Sequence, residues 1–223
     1  MQPRLTDINR REVLQYLQYR GSAIPDEIRQ DIEHCCDIVL KTARPRAVWR
    51  VFDILPDGSL GGTDFRPQGE DIKNHLQACR QLIMMAATLG TEVEALIRRT
   101  QFTDPGTAVI LDCCASAAIE NVCDNLCDDF AAQFAPLYLT DRFSPGYGDF
   151  PFTQQPDFCR TLDVSRRIGI TLTDSGLMIP QKSVTAIIGI SETPTEKRPG
   201  GCIHCNMFET CLYRKDGVTC GNT

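Results

Sequence analysis

The chain has 223 residues, 42% of them apolar and 23% charged. That is the balance of a globular protein, and it excludes wholesale disorder, collagen and coiled coil. Lys and Arg number 23 against 29 Asp and Glu, a net charge of −6; such a chain lacks the basic face that a nucleic-acid binder needs.

The twelve cysteines are many for this length. A secreted disulfide scaffold is usually short and follows a signal peptide. The opening MQPRLTDINRR has no apolar core for one. The apolar stretches at 82–89 and 184–190 fall short of the ~18 residues of a membrane span. The expectation is a cytoplasmic protein with reduced cysteines, without membrane or nucleic acid as partner.

In chain order, Asn9 followed by Glu12 predicts a capped helix with Val13, Leu14 and Leu17 on its apolar side, ending at Gly21. A second helix is predicted from Pro25 to Arg44-Pro45, with Ile28, Ile32, Cys35, Cys36, Val39 and Leu40 on one face. Residues 47–54 (AVWRVFDI) read as a strand, and Pro56-Asp57-Gly58 as a turn opening a Gly- and Pro-rich loop to Gly69. Residues 70–89 read as a helix closed by Gly90, on which His75 and Cys79 stand one turn apart and could share a metal, though no third ligand is in view. Thr91 with Glu94 predicts a capping box and a short helix, broken at Asp104-Pro105-Gly106. Residues 107–134 read as a long helix bearing Cys113, Cys114, Cys123 and Cys127. The stretch LTDRFSPGYGDFPFTQQP, from 139 on, is aromatic, rich in Gly and Pro, and aperiodic; such a loop inside a compact domain is usually functional. A short helix over 157–167 and strands over 169–178 and 183–190 follow, then a polar linker.

Two places could carry chemistry. The tail reads Cys202-x2-Cys205-x5-Cys211-x8-Cys220. Four sulfurs in a segment too short for its own core suggest a metal-stapled knuckle. Tetrahedral sulfur suits zinc or an iron–sulfur cluster alike. The eight other cysteines read as core thiols. The second place is Arg142-Phe143-Ser144-Pro145-Gly146-Tyr147. Arg offers a fixed fork for a carboxylate, Gly lets backbone approach a ligand, and Tyr offers a flat face with a polar tip. Pro145 stiffens the turn between them. These suit a small zwitterionic or nucleoside-like ligand, with Glu120 on the preceding helix available to its positive charge. No G-x-S-x-G elbow, P-loop or H-E-x-x-H helix occurs.

At these residues the sequence resembles the S-adenosylmethionine-binding activation (reactivation) domain of cobalamin-dependent methionine synthase. Arg142 to Tyr147 matches the family's R-x-x-x-G-Y pattern. Leu172-Thr173-Asp174-Ser175, Met178, Pro180 and Ser183-Val184 resemble its L-T-[ED]-S-x-x-M-x-P-x-x-S-V stretch. Ile119-Glu120 with Asp124 and Leu126 resembles its acidic helix. The likeness runs from about Asp112 to Ser191. Ile179 stands where the family has Trp, and 192–198 holds no aromatic residue.

The resemblance implies an α+β fold with a largely antiparallel sheet flanked by helices over residues 1–195, followed by a Cys-rich tail, 196–223. It implies that Arg142 holds the methionine carboxylate and Glu120 the positive end, with Pro145, Gly146 and Tyr147 at the pocket. The methyl donor serves reductive remethylation of a cobalamin. With no D-x-H-x-x-G segment in the chain, the corrinoid is expected on a partner, a corrinoid methyltransferase or short methionine synthase, with flavodoxin or a similar protein as electron donor. The chain is then a methyltransferase component and not a complete methionine synthase. The alternative is a metal (Fe–S or Zn) redox, sensor or interaction protein on the same scaffold.

Overall fold

The computed structural model describes residues 2–19 and 24–195. In chain order the elements are α1 (Arg10–Tyr16), α2 (Asp26–Thr42), β1 (Arg46–Asp53), α3 (Glu70–His75), β2 (Cys79–Thr88), α4 (Thr91–Thr103), α5 (Pro105–Phe134), β3 (Tyr138–Leu139), α6 (Gln155–Leu162), α7 (Val164–Ile168), β4 (Thr171–Leu172), β5 (Met178–Ile179) and β6 (Ser183–Ser191). Four strands form a sheet in the order β1-β2-β6-β3, and β4 with β5 makes a separate two-stranded hairpin. Arg44 N–H bonds Leu89 O at one end of the β1–β2 pair, and Ile54 N–H bonds Arg80 O at the other, so these strands run antiparallel. β3 lies antiparallel to β6, with Tyr138 opposite Ser191 and Leu139 opposite Ile190. The expected α+β class holds.

The chain divides into two compact units: Met1–Val48 with Ala86–Phe130 and Val164–Val184, and Trp49–Met85 with Ala131–Asp163 and Thr185–Thr223. In the first unit, α2 buries Ile32, Cys35, Cys36 and Val39, the face its spacing predicts. Helix α5 buries Ala108, Leu111, Ala115, Ala118, Val122 and Leu126, three or four residues apart, as one helical face requires. Cys36 and Cys114 meet across the two helices with sulfurs 3.5 Å apart. Lys182, just before β6, bonds Asp112 and Ser116 of α5, both at 2.9 Å. Helix α5 is apolar and long enough to cross a membrane, but 56% of its most apolar stretch is buried inside the fold. Asp104 starts it by accepting from Thr107 N–H at 3.1 Å, which explains why Asp104-Pro105-Gly106 separates two helices.

In the second unit, Phe65 and Phe158 stack edge to face at 5.8 Å. Buried Gln155 of α6 exchanges two hydrogen bonds with Thr185 of β6, at 2.9 and 3.1 Å.

The structure corrects the sequence reading at 70–89. The predicted single helix is a six-residue helix, α3, followed by a ten-residue strand, β2. Every residue from Leu82 to Ala87 is fully buried. A strand covered on both faces becomes a continuous apolar run without alternation, and Leu, Met and Ala are good helix formers. The other predicted elements appear with shifted ends. The 157–167 helix begins at Gln155 and is interrupted at Asp163, whose φ is +54°. The 169–178 strand is only the short β4, with β5 after it. Asn9 caps α1 as expected, bonding Arg11 N–H at 3.0 Å and Glu12 at 3.0 Å. The Thr91–Glu94 box does not form. Gly90, at φ +88°, precedes α4 without a side-chain cap, and Glu94 accepts from Gln181 N–H and Arg98.

Candidate functional site

The 140–151 loop begins on a polar anchor. Thr140 Oγ1 accepts from Gly189 N–H of β6 at 2.8 Å and meets His75 Nε2 at 2.7 Å. His75 Nε2 also lies 2.9 Å from Asp141 O. With Cys79 on β2, the helical spacing of His75 and Cys79 as a metal pair disappears. His75 is a loop anchor at the end of α3.

Phe143 then pairs with Ile187 of β6 through both backbone bonds, at 2.9 and 2.8 Å. Its ring is 2% exposed and lies 5.0 Å from His75, 6.2 Å from Phe150 and 6.3 Å from Tyr147. This cluster supplies the hydrophobic footing for the motif. The chain then turns tightly. Tyr147 N–H bonds Ser144 O at 3.0 Å, Gly146 N–H bonds Phe150 O at 2.8 Å, and Phe150 N–H bonds Tyr147 O at 3.0 Å. Gly146 adopts φ +95° and Gly148 φ +52°, conformations that glycine takes at no steric cost.

The turn closes on Asp149, whose carboxylate accepts from Glu70 N–H at 2.7 Å and Asp71 N–H at 3.0 Å. Gly69 precedes α3 without a side-chain cap, so a residue far away in sequence caps this helix. Asp71 returns the contact, accepting from Asp149 N–H at 3.2 Å. The two backbone donors hold the Asp149 carboxyl below its ordinary range. A Cβ on Gly148 would overlap the Asp71 carboxylate.

Four of the predicted site residues, Arg142, Pro145, Gly146 and Tyr147, thus lie together in one bonded turn. Pro145 is buried, Arg142 half-buried, and Tyr147 63% exposed. Glu120 lies in the other unit, on α5, half-buried directly after buried Ala117, Ala118 and Ile119. The second motif is structural in its own unit. Thr173 closes the β4–β5 turn, its Oγ1 accepting from Leu177 N–H at 3.1 Å, and Ser183 donates to Pro180 O at 2.7 Å. Nothing in the sequence marks Asp149 or Thr140 as site residues, and His75 is marked there only beside Cys79. Only the glycines flanking Tyr147, with an Asp directly after the second, hint at the Asp149 clamp.

Cys202, Cys205, Cys211 and Cys220 lie outside the described residues. Among the described residues, no group of three or more His, Cys, Asp or Glu could hold a metal ion. Of the eight other cysteines, six are buried. Burial pushes Cys159 up to about 11, and burial with the nearby Asp31 charge does the same to Cys35.

Residues 123–196 match the family described as vitamin B12 dependent methionine synthase, activation domain. Among solved structures, the chain is similar to one described as the MetH reactivation domain bound to AdoHcy. The match has a TM-score of 0.61 and 16% identity, and covers 95% of this chain and 82% of the other. No curated protein matches the chain. The matched stretch includes Arg142, Pro145, Gly146 and Tyr147, and ends before the four tail cysteines. The chain therefore has the fold of the methionine synthase reactivation domain and carries that family's activation-domain signature over residues 123–196.

Proposed function

We propose that this protein binds S-adenosylmethionine and presents it for reductive remethylation of a cobalamin carried by a partner methyltransferase. The observation that carries this reading is the Arg142-x-x-x-Gly146-Tyr147 turn, tightly folded within the stretch that matches the activation-domain family. The likeness to a reactivation domain described as bound to AdoHcy supports it. Donor and residues fit chemically. The Arg142 guanidinium matches a carboxylate in a two-pronged geometry, Gly146 leaves room for backbone approach, and the exposed Tyr147 ring offers a stacking face.

S-adenosylmethionine supplies the methyl group. The chain contributes placement, which lowers the barrier by orientation. An electron donor of the flavodoxin kind and a corrinoid-bearing partner complete the assembly. The domain over 1–195 carries the donor, and the tail binds zinc or an iron–sulfur cluster through Cys202, Cys205, Cys211 and Cys220. A reducing cytoplasm suits the eight cysteines outside the tail.

Calorimetric titration of the folded protein with S-adenosylmethionine and S-adenosylhomocysteine tests the reading. Saturable binding that collapses in Arg142→Ala is expected. No heat with either ligand, on protein that melts cooperatively, overturns it. Metal and sulfide analysis after anaerobic purification decides between zinc and iron–sulfur in the tail.

A further inference from the structure

Strand β3 and the segment after it lie against β6 in a register that changes by one residue. Leu139 stands opposite Ile190, and Thr140 N–H bonds Gly189 O at 3.0 Å. Continued without a break, that register would set Arg142 opposite Ile187. Phe143 holds the place instead, through both of its backbone bonds to Ile187, at 2.9 and 2.8 Å. Asp141 and Arg142 together therefore face Ile188 alone, which is a β-bulge. A bulge bends its strand and re-aims a side chain. Here it sends the Phe143 ring into the aromatic cluster, 2% exposed, and leaves Arg142 half-buried beside it. Without the extra residue the two side chains would exchange faces.

The bulge is held at its start by side chains. In a regular ladder Gly189 N–H would bond the Thr140 carbonyl; it bonds Thr140 Oγ1 instead, at 2.8 Å. The Asp141 carbonyl, within the bulge, takes its bond from His75. His75 Nε2 is 2.9 Å from Asp141 O and 2.7 Å from Thr140 Oγ1, and Thr140 Oγ1 donates to Asp141 O at 3.2 Å. A carbonyl oxygen only accepts, so Nε2 must carry the hydrogen. His75 ends α3, 66 residues before Asp141, and its ring lies 5.0 Å from that of Phe143. One imidazole thus touches the two residues before Arg142 and the one after it, all within the second unit.

We propose that His75 is a positioning residue for the ligand turn: its Nε2–H holds the Asp141 carbonyl in the bulge, and the bulge sets the backbone from which the Arg142 guanidinium reaches the methionine carboxylate. This rests on the reading of Arg142 as the holder of that carboxylate. The Asp141 carbonyl belongs to the peptide that joins Asp141 to Arg142, so a donor on it fixes the plane from which Arg142 projects. Without the imidazole N–H the carbonyl is left with the longer 3.2 Å bond from Thr140. A two-pronged pair between guanidinium and carboxylate depends on direction as well as distance, and small errors of placement are costly.

The test compares His75→Phe, which keeps a ring against Phe143 and removes the N–H, with His75→Gln, whose amide carries an N–H donor. Each full-length variant is titrated with S-adenosylmethionine by calorimetry, well below its own melting temperature. In the ligand-free proteins Arg142 is labelled with phenylglyoxal and the rate read by peptide mass spectrometry. His75→Phe is expected to weaken S-adenosylmethionine by about tenfold or more and to change the Arg142 labelling rate by about threefold or more. His75→Gln is expected to restore both to near the wild-type values. Nitrogen-15 NMR of the wild-type protein should show neutral His75 protonated at Nε2. An Nδ1-protonated ring overturns the proposal, and does so even if His75→Phe fails to fold. A wild-type Arg142 labelling rate in His75→Phe also overturns it, as does His75→Gln behaving like His75→Phe. If the wild-type protein binds no S-adenosylmethionine, the proposed function falls on its own, and the labelling rates with the tautomer uphold or overturn the role of His75 in setting Arg142.

Discussion

Two irregular segments of the second unit, residues 54–69 and 140–151, are ordered by different means. The 54–69 segment folds on itself through turn bonds around an apolar hollow, and a buried glutamine fixes its far end. The 140–151 segment borrows its order from elsewhere: two backbone bonds to β6, an aromatic cluster beneath Phe143, and Asp149 placed on the first amides of α3. The first lines a half-open hollow with apolar walls at Ile54, Leu60, Ile72 and Leu76. The second makes a tight turn on which Tyr147 is exposed and Arg142 half-buried. Both are irregular segments held by a rigid support, the setting in which binding residues are most often found.

The sharpest way to break this comparison is to remove the footing of the 140–151 turn. Phe143→Ala is expected to cost about 3–5 kcal/mol in urea unfolding, the range for a buried aromatic. A cost below about 1 kcal/mol would mean that the backbone bonds to Ile187 alone carry the turn. Next in size, Arg142→Ala should weaken S-adenosylmethionine by about 30-fold, near 2 kcal/mol for a lost charge-assisted pair. Unchanged affinity in Arg142→Ala would take the carboxylate away from this turn.

Gln154→Ala acts on the other segment. Two bonds to loop backbone disappear, and about 1–2 kcal/mol of stability is expected to go with them. Hydrogen exchange at Gln68 N–H should accelerate. Equal acceleration at Phe143 and Tyr147 would show that the two segments open as one body. The smallest effect concerns acid. Asp149 is held below its ordinary range when folded, so its contribution is full above the unfolded value near 4. It fades as pH falls through the lower folded value. Exchange at Glu70 and Asp71 N–H should rise selectively below about pH 4, and Asp149→Asn should abolish that pH dependence. Acid sensitivity surviving in Asp149→Asn would assign it to another group.

Much of the fold was legible in the sequence because its signals are local. The α2 face at Ile32, Cys35, Cys36 and Val39, the Asn9 cap and the break at Asp104-Pro105 all follow from spacing and capping chemistry within a few residues. The Arg142–Tyr147 turn was legible for a related reason: its glycine and proline geometry and its charged fork are contiguous. Strand β2 was not legible, since burial on both faces erases the alternation that marks a strand. The clamps were not legible either. Asp149 caps a helix that begins 79 residues earlier, and Gln154 bonds backbone 86 and 88 residues away.

The amino-acid sequence by itself thus determined the class of fold, most helix positions and the tight turn at 142–147, because periodicity, capping and contiguous motifs act over one or two turns of chain. Tertiary structure alone decided that 79–88 is a strand, that His75 anchors a loop, and that residues 54–79 surround a cavity. Those outcomes depend on which distant surfaces cover a segment and which distant donors meet a carboxylate, and no local pattern encodes them.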